Sequence, residues 1–181
     1  RSLGEEAVLC DTLAFMIAKC AVEMGLDREA EQLLVQGLRS AHAHGMVDTA
    51  ACGFEALIKL WDGSSEGIYP LSGLREIGGS YPPRLSLMLS CFLVRRLLQL
   101  GRKTEAIAEA ERVGILVTDK DVAVPSRDEL SIPSCRDLVM ATVIEMLLAI
   151  GKLREAESLM GDELRIAHAD GRIARQVELL L

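Results

Sequence analysis

Apolar residues recur along the chain at the three-and-four spacing of amphipathic helices, and short glycine-bearing segments interrupt that pattern at regular places. The pattern predicts helices of one kind, A, near 5–24, 47–62, 84–100 and 134–150. Helices of a second kind, B, are predicted near 27–44, 64–77, 103–115 and 152–169, and a further helix starts near 172. Pro70 and the glycines around it predict a short or kinked second B helix. Residues 114–134, with Asp119, Asp121, Pro125 and Pro133, read as an inserted surface loop whose Ile115-Leu116-Val117 packs back on the core. No strand is expected.

The interruptions are copies of one another. Gly25-Leu26-Asp27-Arg28-Glu29-Ala30 returns as Gly101-Arg102-Lys103-Thr104-Glu105-Ala106 and as Gly151-Lys152-Leu153-Arg154-Glu155-Ala156. Gly25 and Gly101 lie 76 residues apart, twice 38, and Gly63 stands at the midpoint. From Gly101 to Gly151 is 50, one period with a 12-residue insertion. Gly25–Gly45 set against Gly151–Gly171 matches at 12 of 21 positions, among them His42/His168. Two helices per period make this a helix-turn-helix repeat array. The glycine ends helix A in the left-handed conformation. The glutamate after it lies in the first turn of helix B, facing the positive end of the dipole, and the small alanine lets the two helices approach. The expected architecture is one all-α solenoid over 1–181 of about four and a half units. Those units are 5–45, 46–82, 83–133 with the insertion, 134–171, and a truncated helix at 172–181.

Composition narrows the classes. Half the residues are apolar but only 3% are aromatic, which suits helix-on-helix packing and excludes a disordered chain. The net charge of −7 argues against direct nucleic-acid contact. No apolar run is long enough to predict a membrane span. Five cysteines (Cys10, Cys20, Cys52, Cys91, Cys135) without a C-x-x-C pair read as reduced, buried, intracellular thiols. Arg1 at the start and Leu179-Leu180-Leu181 at the close lead us to expect a piece of a longer protein.

Motifs that bring chemistry are missing: there is no phosphate-binding loop, dinucleotide fingerprint, zinc-protease helix or nucleophile elbow. Gly78-Gly79-Ser80 lacks a following lysine and reads as a turn. His42 and His44, two apart, point to opposite helix faces, so neither a metal nor a cofactor is expected and an enzyme is disfavoured. A binding face is a better prospect. With the A helices aligned on Gly25, Gly63, Gly101 and Gly151, the columns three, four, seven and eight before the glycine are almost wholly apolar, with Val22, Leu60, Leu98 and Leu148 three before and Ala18, Ala56, Val94 and Ile144 seven before. These are expected in the core. The column six before holds Lys19, Leu57, Arg95 and Glu145. Two before stand Glu23, Trp61, Gln99 and Ala149, and nine before stand Met16, Phe54, Phe92 and Thr142. Lys19, Phe54, Trp61, Phe92, Arg95, Gln99 and Glu145 therefore form the candidate ligand- or partner-binding stripe. The competing expectation is that the aromatics only fill gaps between neighbouring helices.

The stretches Leu97–Ala106 and Leu147–Met160 resemble tetratricopeptide-like repeats. The run Ala167-His168-Ala169-Asp170-Gly171-Arg172, followed by Val177-Glu178-Leu179-Leu180-Leu181, is similar to the helical repeat region of MalT-type LuxR-family transcriptional regulators. The resemblance is strongest over 84–181 and weak around 63–82. It implies a right-handed superhelix of antiparallel helix pairs serving as the sensor region of a bacterial, cytoplasmic, ATP-dependent regulator. Such a region receives a small-molecule inducer or a protein or peptide partner and controls self-association, while nucleotide and DNA are bound by other modules. The alternative is a tetratricopeptide-like interaction scaffold unrelated to transcription.

Overall fold

The computed structural model describes residues 16–18, 20, 21, 23–61, 63, 71–118, 122–125, 130 and 133–180. It is mostly helical, with a small two-stranded sheet. After helical residues between 16 and 23 come α1 (Asp27–Ala43), α2 (Val47–Leu60), α3 (Leu71–Gly79), α4 (Pro83–Gln99) and α5 (Lys103–Arg112). Strands β1 (Leu116–Val117) and β2 (Val122–Ala123) precede α6 (Pro133–Ala149), α7 (Leu153–Ala169) and α8 (Ile173–Leu180). The chain forms two compact units, Arg1–Phe92 and Leu93–Leu181. In the first, α1 packs on α2; in the second, α7 packs on both α6 and α8. Cys10, Lys19, Val22, Pro70, Asp119 and Asp121 lie outside the described residues.

One backbone device joins the helices. Gly25, Gly45, Gly101, Gly114, Gly151 and Gly171 all have φ between +67° and +85°. The residue after each donates its N–H to the carbonyl five positions back: Leu26 to Ala21, Met46 to Ala41, Arg102 to Leu97, Ile115 to Ala110, Lys152 to Leu147 and Arg172 to Ala167, at 2.8–2.9 Å. This is the Schellman closure, which satisfies carbonyls that a helix end leaves open. In five of the six the same residue also opens the next helix. The carbonyls of Leu26, Met46, Arg102, Lys152 and Arg172 accept from Ala30, Ala50, Ala106, Ala156 and Gln176. The whole connection is thus one glycine and one residue. Met46, Arg102 and Lys152 open their helices without a side-chain cap, so the turn itself orients the first free N–H groups. Ala30, Ala50, Ala106 and Ala156 are all buried, as a close helix–helix approach one turn after so short a connection requires.

Gly151 isolates the backbone contribution to this turn. A Cβ there meets nothing within 4 Å, yet φ is +85°. Gly151→Ala should therefore cost about 1–2 kcal/mol from backbone strain alone. A denaturant midpoint equal to that of the unsubstituted chain would contradict this.

The closure also fixes which face is buried, and here two expectations need correction. The accepting residue, four before the glycine, is buried in every copy: Ala21, Ala41, Leu97, Ala110, Leu147 and Ala167. The residue three before is not. Leu98 is half-buried and Leu148 is 46% exposed, against 1% for Leu147. The apolar character of that column had suggested core. The second A helix is also out of register. Gly63 has φ +87°, but α2 already ends at Leu60, with the Trp61 N–H on the carbonyls of Leu57 and Ile58. Its buried residues Leu57, Ile58 and Trp61 coincide with Leu93, Val94 and Leu97 at an offset of 36, not 38. Aligning on Gly63 rotates this helix by two positions relative to its neighbours.

Three smaller corrections follow. The second B helix, described over Leu71–Gly79, runs past its expected end at 77 and includes Gly78 and Gly79, while its expected start over 64–70 lies outside the described residues. The insertion is not strand-free: Leu116 pairs with Ala123 and Val117 with Val122, antiparallel. Ile115 is fully buried as expected, Leu116 is exposed, and Lys152 Nζ donates to the Thr118 carbonyl, tying the hairpin to the turn before α7. Cys91 and Cys135 are buried, but Cys20 and Cys52 are exposed because they fall on the outer arcs of their helices.

Candidate binding face

Position along the A helices decides what the candidate residues can do. Phe54, on α2, is 1% exposed and its ring lies 6.3 Å from that of Tyr81, tilted by 36°. Trp61, 7% exposed, occupies the place held by Leu97 and Leu147 in later helices. Both point inward, a direct consequence of the two-residue register difference at Gly63. Phe92 on α4 is half-buried and receives the ammonium of Lys59, which stands 5.5 Å from the ring centroid. Lys59 also pairs with Glu55 one turn back at 2.5 Å, so the aromatic face is covered by an anchored cation. Lys19 lies outside the described residues.

In the second unit the repeat does bring two candidates together. Arg95 on α4 and Glu145 on α6, both six before their glycines, form an ion pair: Arg95 Nε donates to Glu145 Oε1 at 2.8 Å and Nη2 stands 2.7 Å from the same oxygen. Their side chains are 27% and 33% exposed, so each keeps part of its hydrogen-bonding capacity toward water. Gln99 is exposed one turn further on and accepts from Arg96 Nη1 at a long 3.4 Å. Thr142, aligned with Phe92, is fully buried and donates to the Leu138 carbonyl at 2.8 Å. The face that remains open is therefore charged, with Arg95, Glu145 and Gln99 at its surface. The aromatic half of the stripe is interior or covered.

The sequence reading missed a second charged group. Asp137 on α6 accepts from Arg172 Nη1 through both carboxylate oxygens, at 2.7 and 2.6 Å. This bond, together with the nearby negative charges of Asp137, Asp170 and Glu163, holds the Arg172 guanidinium above its ordinary pKa. Arg175 on α8, buried, donates to the Asp137 carbonyl at 3.1 Å. Arg136 pairs with Glu163 of α7, which is 2% exposed and whose Oε2 has no hydrogen-bond partner. A basic residue after the turn glycine recurs at Arg102, Lys152 and Arg172, a signal that was legible; nothing in the spacing marked Asp137 or Glu163.

A small cleft of about 170 Å³ lies in the first unit, lined by Ala41, Gly45, Met46, Ala50, Tyr81 and Pro82, and includes none of the candidates. Among the described residues no group of three His, Cys, Asp or Glu side chains could hold a metal ion. No helix among them is long and apolar enough to cross a membrane. Comparison with protein-family models, with curated proteins and with solved structures finds no match to this chain.

Proposed function

We propose that the chain is a helical-repeat recognition module whose A-helix face takes a protein or peptide partner. We place it as the sensor region of a cytoplasmic, ATP-dependent regulator of the MalT-type LuxR family, arranged as a right-handed tetratricopeptide-like superhelix. The observation that carries the reading is the Arg95–Glu145 pair. Two equivalent repeat positions, 50 residues apart in sequence, meet at 2.7 Å and stay about a third exposed. A pair at such exposure contributes little to stability, so its stabilising value alone does not account for it. Opposite charges side by side, next to Gln99, suit alternating charges or backbone amides of an extended peptide better than an apolar inducer. Sequestering Phe54 and Trp61 in the interior lowers the case for an aromatic-lined small-molecule pocket.

Charge reversal tests this. Arg95→Glu and Glu145→Arg should each reduce partner binding at least about tenfold, near 1.4 kcal/mol. The double variant restores the pair with its polarity inverted; it should recover the melting temperature but not the binding. Binding measured by titration calorimetry that survives both single reversals would sink the proposal. A metabolite panel in thermal shift is the second arm. A small ligand whose stabilisation persists in both variants would move the recognition site elsewhere.

A further inference from the structure

One helix junction occurs twice in this chain with the same backbone and different side chains. Gly25–Gly45 and Gly151–Gly171 match at 12 of 21 positions, and the turns at Gly45 and Gly171 make the same bonds. The Met46 N–H donates to the Ala41 carbonyl at 2.9 Å, and the Arg172 N–H to the Ala167 carbonyl at 2.8 Å. Four residues on, the N–H groups of Ala50 and Gln176 donate to the carbonyls of Met46 and Arg172, at 2.9 and 3.1 Å. Equivalent backbone therefore carries alanine at 50 and glutamine at 176.

Gln176 demonstrates what the junction accepts. Its Nε2 donates to the Ala167 carbonyl at 3.2 Å, so that oxygen takes two donors, the turn N–H and a side-chain amide. A carbonyl oxygen has two lone pairs to offer. Ala50 stops at Cβ. Among the described residues no side chain donates to the Ala41 carbonyl beside the Met46 N–H. Nor does closer packing use up the space. The cleft of about 170 Å³ lies at this junction, with Ala41, Met46, Ala50 and Tyr81 in its lining. At about 30 Å³ per water molecule it has room for roughly five or six, the size of a short amide side chain. Gly45 and Pro82, also in the lining, are exposed, so the cleft reaches solvent; Ala41 and Ala50 are buried. A neutral N–H donor on a short aliphatic stem suits both parts, its methylenes on the alanines and its amide on the oxygen. A carboxylate would set its charge against the carbonyl dipole and lose its hydration with nothing in return.

We propose that the cleft at Gly45 binds the carboxamide of a glutamine side chain from a peptide, its amide N–H donating to the Ala41 carbonyl as Gln176 donates to Ala167. The chain thus leaves open in its first unit a place that its own side chain fills in the second. This inference does not depend on which partner the Arg95–Glu145 face receives.

The test titrates the whole chain, labelled with carbon-13 and nitrogen-15, with N-acetyl-glutamine methylamide and with the leucine and glutamate counterparts, which differ only in the side chain. The glutamine probe should move the Ala41 carbonyl-carbon resonance saturably, together with the amides of Met46 and Tyr81. It should bind at least about tenfold tighter than the leucine probe, which covers the acceptor without satisfying it, and than the glutamate probe, which buries a charge. Ala50→Gln supplies the amide from within. It should bring the Ala41 carbonyl resonance to its probe-bound position and weaken the glutamine probe at least about tenfold. Because Ala50 is buried, helix content and melting of the variant are checked first; should the larger residue unfold it, the titration of the unsubstituted chain decides alone. No saturable change at Ala41 up to the solubility of the glutamine probe overturns the proposal. So do equal affinities for the glutamine and leucine probes, the mark of a merely apolar cleft, and a folded Ala50→Gln chain that binds the glutamine probe undiminished.

Discussion

Leu147→Ala should destabilise the second unit by about 2–5 kcal/mol, while Leu148→Ala should change its stability by no more than about 0.5 kcal/mol. The two residues are adjacent, chemically identical and both in α6, so the contrast isolates position on the helix. Leu147 is 1% exposed and its carbonyl accepts the Lys152 N–H that closes the turn at Gly151; Leu148 is 46% exposed. Truncating Leu147 removes apolar contacts and leaves a cavity where α6 meets its neighbours, a space that a helix pinned four residues later by a Schellman closure is poorly able to collapse into. Truncating Leu148 removes surface that water already covers in part. Thermal or urea melts of the two variants decide the matter. Equal losses would mean that the closure does not set the buried face, and a larger loss at Leu148 would put the column three before the glycine in the core.

That contrast also shows what the sequence could and could not disclose. Five of the helices were legible because Gly25, Gly45, Gly101, Gly151 and Gly171 stop them at positions where the chain needs a positive φ, and the apolar spacing runs between them. The predicted A helices at 84–100 and 134–150 are observed as Pro83–Gln99 and Pro133–Ala149. The buried face was less legible. Columns three and four before the glycine are both rich in apolar residues, and only the hydrogen bond from the residue after the glycine selects between them. The register of α2 was lost for a related reason: Gly63 has the turn conformation, but the helix stops short of it, so a shared glycine did not mean a shared register. The hairpin at 116–123 is two residues per strand, shorter than any periodic signal. Repeat arithmetic put Arg95 and Glu145 in one column, but that they meet as an ion pair is visible only in the structure. The Asp137 cluster left no such trace, because it depends on a helix that buries its arginines and exposes its aliphatics, the opposite of what apolar patterning assumes.

Phe54→Ala carries the other large effect, an expected loss of about 3–5 kcal/mol in the first unit. The substitution separates two roles that the sequence left open for this residue. As part of a recognition face, Phe54 would lose a partner and little stability. As observed, it is 1% exposed, with Tyr81 6.3 Å away and tilted, a geometry in the range favoured for aromatic pairs. Its removal empties an interior volume and strips Tyr81 of its ring neighbour. Tyr81 sits just ahead of α4 at Pro83, so the cavity would loosen the approach to that helix as well. Amide exchange should then show α2 and the residues around Tyr81 opening together, with protection in α7 unchanged. The charged face supplies the control: Gln99→Ala, at an exposed position in the same series of helices, should leave the melt within about 0.5 kcal/mol. A Phe54→Ala chain as stable as the unsubstituted one, yet deficient in partner binding, would return the aromatic residues to the recognition surface and undo the register assigned to α2.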